Sequence, residues 1–223
     1  MPEAVDVRQR VLAANEEAAR ALREEFAASG TLVVNFISSP GSGKTTLLEA
    51  TVARLGATVR LGVIEGDIAT ERDADRLRAL GVPAHQILTG GACHLDARQV
   101  RAAAADAAYR AVDMLLIENV GNLICPTSYD LGEDFKVVVL SVTEGDDKPF
   151  KYPAIFARAE VSVISKVDLL PHVAFDLAAV REQISTLNPH AQIVLTSART
   201  GEGVGEWCAL LEARLAAKRA HRR

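Results

Sequence analysis

The sequence predicts one α/β domain, a mainly parallel sheet with helices on both faces, and three observations lead there. Short apolar, β-branched runs recur along the chain and alternate with segments of helical period. Several of these runs are apolar throughout their interior, as 114–117 is within 113–118, which is the pattern of strands buried on both faces. At 223 residues and 49% hydrophobic content, the chain can bury one full core.

Over residues 4–29, Val7, Val11, Ala14, Ala18, Leu22 and Phe26 fall close to one helical stripe with Glu and Arg between them, and Gly30 is a natural stop. This helix precedes the first strand. Residues 1–30 are therefore read as a helical appendage to a domain of residues 31–223. The run Val33-Val34-Asn35-Phe36-Ile37 then leads into Ser38-Ser39-Pro40-Gly41-Ser42-Gly43-Lys44-Thr45-Thr46. A strand, a turn of small residues and Lys-Thr at a helix start make a phosphate-binding loop, and the fold class becomes that of the P-loop NTPases. Backbone N–H groups around Gly41, Ser42 and Gly43 and the helix dipole collect anions, with Thr46 in the same loop end. Lys44 reaches the β- and γ-phosphates, and the Thr45 hydroxyl is placed to ligate Mg²⁺. Ser38 stands where the general pattern has its first glycine.

Residues 47–55 read as helix, 58–65 as strand and 66–70 as a loop at that strand's carboxyl end, where ligands of such sheets gather. A short helix at 74–80 and a weak strand at 84–89 precede Gly90-Gly91, and 95–110 reads as an alanine-rich helix. Strands follow at 113–118, 136–142 and 161–165, then a helix at 175–187, a strand at 192–196 and a closing helix at 204–217.

Asp67 and Glu118 sit at or just after the ends of apolar runs, where a nucleotide hydrolase needs carboxylates near Mg²⁺ and the attacking water. The segment Glu118-Asn119-Val120-Gly121 looks like a GTPase switch motif with Glu for the usual Asp, and Gly121 can turn its amide toward a γ-phosphate. Ser165-Lys166-Val167-Asp168 resembles the guanine-reading Asn-Lys-x-Asp motif, with Ser165 replacing Asn. A carboxylate at Asp168 accepts from guanine N1–H and the exocyclic amine, a pair adenine cannot offer. Thr196-Ser197-Ala198, after the last strand, looks like the further base-contacting loop, with Ser197 and Ala198 at the nucleotide.

Cys93 and His94, behind two glycines, and Cys125, a few residues beyond Gly121, carry soft ligands suited to Ni²⁺ or Zn²⁺. Spacing alone leaves the two cysteines equally open as ligands or as buried structural thiols. A helix start at this point would lower the Cys93 pKa. Cys208 shares a helical stripe with Val204, Trp207, Leu211 and Leu215 and reads as core. His85, His172, His190 and His221 have no clustered partners.

The formal net charge of −4 argues against a nucleic-acid binder, and the basic cluster at 218–223 reads as a solvated helix end. No apolar run approaches the roughly 20 residues of a membrane span. Three cysteines without a secretory leader point to a reducing, cytoplasmic compartment.

Together these segments resemble the hydrogenase nickel-incorporation GTPases, the HypB family, from about Asn35 through Trp207. The likeness is carried by the phosphate loop, Glu65-Gly66-Asp67, Cys93-His94-Leu95-Asp96, Glu118-Asn119-Val120-Gly121-Asn122-Leu123, Cys125-Pro126 and Lys166-Val167-Asp168-Leu169-Leu170-Pro171, in that order. The resemblance implies a metal-responsive GTPase that binds GTP and GDP and dimerises with GTP. It also implies nickel delivery to the large subunit of [NiFe]-hydrogenase with accessory proteins, and a metal site at Cys93, His94 and Cys125. Lys148, in Glu144-Gly145-Asp146-Asp147-Lys148-Pro149-Phe150-Lys151, is the candidate for nucleotide contact across the dimer, against the ordinary reading of a solvated charged loop. The Cys-rich or His-rich N-terminal segments of some members have no counterpart before the phosphate loop. The urease nickel-insertion GTPase, UreG, is the nearest alternative, but its Cys-Pro-His motif differs from the separate Cys93-His94 and Cys125-Pro126. A nucleotide-gated metal carrier with negligible turnover is a further alternative, and a small-molecule P-loop kinase a weaker one.

Overall fold

The computed structural model describes residues 3–67 and 72–221, without the side chains of 3–8 and 72. Its seven strands, β1 (Leu32–Ser38), β2 (Leu61–Asp67), β3 (Ala84–Leu88), β4 (Met114–Glu118), β5 (Phe135–Ser141), β6 (Val161–Ser165) and β7 (Gln192–Thr196), form one sheet in the order β3-β2-β4-β1-β5-β6-β7. Every pairing between them is parallel. Both neighbours of β1, β4 and β5, come much later in sequence, so β1 ends in the crevice where the connections part to opposite sides. The helices are α1 (Glu3–Ser29), α2 (Lys44–Leu55), α3 (Arg72–Arg78), α4 (Ala97–Ala104), α5 (Cys125–Ser128), α6 (Lys148–Lys151), α7 (Pro153–Arg158), α8 (Leu177–Leu187) and α9 (Val204–Ala220); α2 to α8 lie in the crossovers that parallel strands need, while α1 precedes β1 and α9 follows β7.

The apolar side chains sort by strand alternation onto two faces. Phe36, Val63, Leu116 and Val137 pack with α2 and α9 on one, where Phe36 meets the Trp207 ring edge-on at 5.7 Å and Trp207 Nε1 donates to Thr51 Oγ1 at 2.9 Å. Ile64, Leu115 and Ile117 pack with α1 and α4 on the other, where Ala19 and Leu22 of α1 are fully buried. Cys208 is core, as its stripe predicts, and burial pushes its thiol up to about 11.

Three readings change. The helix expected over 95–110 is shorter, because Asp96 caps it in a reciprocal box with Gln99 and the last turn, Ala107–Tyr109, is a separate 3₁₀ turn capped by Asp106. The charged loop after β5 contains α6, started by Pro149. The basic end is not simply solvated: Lys218 Nζ lies 2.6 Å from Asp134, and Arg219 pairs with Asp113, whose carboxyl the Arg60 guanidinium also holds well below the usual range. The remainder of the expected 66–70 loop, from 68 on, and residues 222–223 lie outside the described residues. No helix among the described residues is long and apolar enough to cross a membrane.

Candidate functional site

The carboxyl ends of β1, β2 and β4 open into a cavity of about 470 Å³ lined by residues 40–46, Asp67, Asp73, Glu118 and Gly121. Gly41 and Gly43 hold φ of 75° and 93°, left-handed backbone that lets the loop wrap around an anion ahead of α2. Ser38 does more than replace a glycine. Its buried hydroxyl accepts from Lys44 Nζ at 2.7 Å and from Ser42 Oγ at 2.5 Å while donating to the Ser39 carbonyl. Burial lowers the Lys44 pKa, and Glu118, 3.9 Å away, opposes that shift.

Thr45 Oγ1 lies 3.1 Å from Glu118 Oε1 and 3.4 Å from Asp73 Oδ2, with Asp67 on the same cavity wall. Hydroxyl and carboxylate oxygens are the hard donors Mg²⁺ takes, and Glu118 Oε2 is buried with no partner in the protein, so the donor set fits the ion. Asp73, at the start of α3, carries no motif in the sequence that marks it as part of the site. No motif marks the row beside it as a unit either: β2 pairs Glu65 with Glu118 on one side and with Gln86 on the other, and these three side chains share a face at the cavity floor. Both Glu65 oxygens and the Gln86 amide are buried without protein partners. Burial, then the Glu118 and Asp73 charges, pushes Glu65 up to about 8, and burial pushes Glu118 up to about 7. The available signal was a Glu at the carboxyl end of each of two apolar runs, 61–64 and 114–117.

A second pocket, of about 220 Å³, lies beyond Gly43 and Thr46 and is lined by Lys166, Asp168, Thr196, Ser197 and Ala198. Asp168 Oδ1 accepts from Ser197 Oγ at 2.6 Å, which fixes the carboxylate in place. Ser165 is buried and its hydroxyl donates to the Ser42 carbonyl at 2.6 Å, so the residue that departs from the Asn pattern still ties the base loop to the phosphate loop. Lys166, at φ 58°, donates to the Gly41 carbonyl at 2.6 Å and bridges the same two loops. Lys148 Nζ points toward its own phosphate loop, 3.4 Å from Ser39 Oγ and 3.9 Å from Glu144.

On the opposite flank of the 118–125 segment, ligand atoms of Cys93, His94 and Cys125 lie within 4.8 Å of one another, the only such His/Cys/Asp/Glu group found among the described residues. Gly90 and Gly91, at φ 61° and 98°, turn the chain so that neighbours Cys93 and His94 face one centre. The His94 ring stacks on Tyr129 at 3.8 Å between centroids, and burial lowers its pKa against the opposing Asp96 charge, which favours the neutral imidazole that can ligate. The expected lowering of the Cys93 pKa is not found. Cys93 precedes the α4 cap by three residues, and hydrogen bonding with Cys125, then burial, raises it. Two sulfurs and an imidazole nitrogen form a donor set that Ni²⁺ and Zn²⁺ both accept.

Residues 31–195 match the model of the CobW/HypB/UreG nucleotide-binding domain. The hydrogenase maturation factor HypB of Azotobacter chroococcum mcd 1 is 49% identical over 208 residues, 93% of this chain and 68% of that one. The chain belongs to the HypB family. Among solved structures, HypB from Archaeoglobus fulgidus superposes with a TM-score of 0.86 at 42% identity, covering 91% of this chain and 99% of that one. HypB from Helicobacter pylori, in complex with nickel, does so with a TM-score of 0.86 at 43% identity, covering 94% and 97%. The family assignment and the P-loop fold agree with the motif order read from the sequence.

Proposed function

We propose that the protein is a metal-responsive GTPase that serves nickel insertion in the maturation of [NiFe]-hydrogenase. The observation that carries this reading is one short segment with a hard-oxygen site at Glu118 and a soft S₂N site at Cys125. Backbone N–H groups of 41–46 and Lys44 bind the β- and γ-phosphates, and Asp168, with Ser197 and Ala198 beside it, selects guanine. Thr45, Asp67, Glu118 and the added Asp73 would hold Mg²⁺, which neutralises charge on the phosphate oxygens when bound. Gly121 senses the γ-phosphate. Turnover is slow, because the one arginine lining the phosphate cavity among the described residues, Arg76, has its guanidinium engaged by Glu49 at 2.6 Å and Asp73 at 3.1 Å.

Cys93, His94 and Cys125 hold Ni²⁺ or Zn²⁺, and nucleotide state alters their affinity. Lys148, on a short helix beside the exposed Phe150, contacts nucleotide across a GTP-dependent homodimer, with hydrogenase accessory proteins and the large subunit as further partners. Residues 31–223 then make the GTPase domain with its metal loops, working in the cytoplasm, and 1–30 the helical appendage that buttresses α4.

Multiple-turnover GTP hydrolysis by the full chain tests this reading against a carrier with negligible turnover. Lys44→Ala should abolish productive nucleotide binding. Hydrolysis at an unaltered rate in that variant would remove the site from the chemistry.

A further inference from the structure

The segment 119–122 is wedged between the phosphate loop and the metal loop. On the nucleotide side, Gly121 lies so close to Pro40 that a Cβ built on it would come within 2.9 Å of the proline ring and 3.1 Å of its backbone. On the metal side, two asparagines grip the chain at either end of Cys93-His94. Asn122 Nδ2 donates to the Cys93 carbonyl at 3.2 Å, and Asn119 Oδ1 accepts from the Leu95 amide at 3.1 Å. Asn122 Oδ1 also accepts from the Ile124 amide at 2.9 Å, one residue before Cys125. A single side-chain amide thus spans both halves of the metal site.

We infer that Asn122 is the positioning residue through which the nucleotide switch reaches the metal site, an inference that rests on the coupling proposed above. Any displacement of Gly121 along the phosphate loop carries Asn122 with it. Through its N–H donor the Cys93 carbonyl follows, and through its oxygen so does the turn that begins at Cys125. Asn119 resists this motion at Leu95, because its buried amide is fastened to Asn35 Oδ1 in β1 at 3.3 Å. The Cys93-His94 pair is therefore held between an anchor that stays with the sheet and one that moves with the switch. A site of fixed donor geometry responds to such a differential shift with a changed affinity. Without Asn122, the Gly90-Gly91 turn leaves the Cys93 loop free to settle around a metal in either nucleotide state.

The experiment is a Ni²⁺ titration of the full chain saturated with GDP and with a non-hydrolysable GTP analogue, repeated for Asn122→Ala and Asn122→Asp. Asp keeps the acceptor for Ile124 but cannot donate to the Cys93 carbonyl. In the unaltered protein the two nucleotide states should differ in Kd by about 5-fold or more, a typical allosteric coupling. In both variants they should agree within about 2-fold, with metal still bound. A difference that persists undiminished in the variants overturns the inference and leaves the coupled GTPase standing. No difference in the unaltered protein sinks the coupling itself. Loss of Ni²⁺ in every nucleotide state of both variants also overturns the inference, because Asn122 would then be a structural part of the metal site and not its link to the switch.

Discussion

Lys44 Nζ donates to Ser38 Oγ at 2.7 Å, so the residue proposed to bind the phosphates is held by the hydroxyl that stands where many phosphate loops have glycine. A charge-assisted bond of this kind contributes roughly 1.5–3 kcal/mol, and a bound nucleotide offers Lys44 replacement oxygens. Ser38→Ala should therefore lower the stability of the nucleotide-free protein by about 1–3 kcal/mol and lose much of that effect with GDP. Denaturant melts in the two states measure it, and an equal loss in both would separate Ser38 from Lys44.

Asp168 is held by Ser197 at 2.6 Å, and in the proposed reading its carboxylate accepts two donors from guanine. Asp168→Asn offers one acceptor and an unwanted donor, and should weaken GTP by about 10- to 100-fold while changing ATP little. Equal GTP and ATP affinity in the unaltered protein would refute the base assignment, whatever the variant does.

Glu65 makes stability depend on pH. Its carboxyl ordinarily titrates near 4.5, and burial, with Glu118 and Asp73 nearby, pushes it up to about 8. The folded state therefore holds this proton more tightly than the unfolded chain. Its contribution is fully present below about pH 4.5 and is lost as pH rises through 8, on the order of a few kcal/mol. Glu65→Gln should flatten the fall of stability between about pH 5 and 8 in the nucleotide-free protein. Glu118, pushed up to about 7, titrates in the same window, so the slope shrinks without vanishing. Denaturation midpoints across that range decide it, and an unchanged slope would show that Glu65 ionises freely.

Cys125 and Cys208 should behave oppositely. Cys125→Ala removes one of three clustered ligand atoms and should weaken Ni²⁺ and Zn²⁺ by more than about 100-fold, beyond the cost of outer-shell changes. Cys208→Ala, in the core beside Trp207, should leave metal binding intact and cost about 1 kcal/mol of stability. Metal titrations and melts of both variants test the contrast.

What could be read from the linear chain is local. The phosphate loop announces itself because strand, turn, Lys44 and helix are consecutive, and Cys208 declares its burial through a 3.6-residue stripe. The strand ends at Glu118 and Ser165 were legible for the same reason, since period and composition mark where an apolar run stops, whereas β2 runs two residues past the expected end at Glu65, to Asp67. Asp73 was not legible. It meets Thr45 across 28 residues only because β2 ends on the same side of the sheet as β1. The row Gln86, Glu65, Glu118 exists only because β3, β2 and β4 are neighbours in one register, which no periodicity encodes. Ser165 could be noted as a departure, but its bond to the Ser42 carbonyl spans 123 residues and needed the folded loops. The grip of Asn119 on Leu95 and of Asn122 on Cys93 is of the same kind. Residue type and spacing state which chemistry is available, whereas strand order and register decide which groups meet.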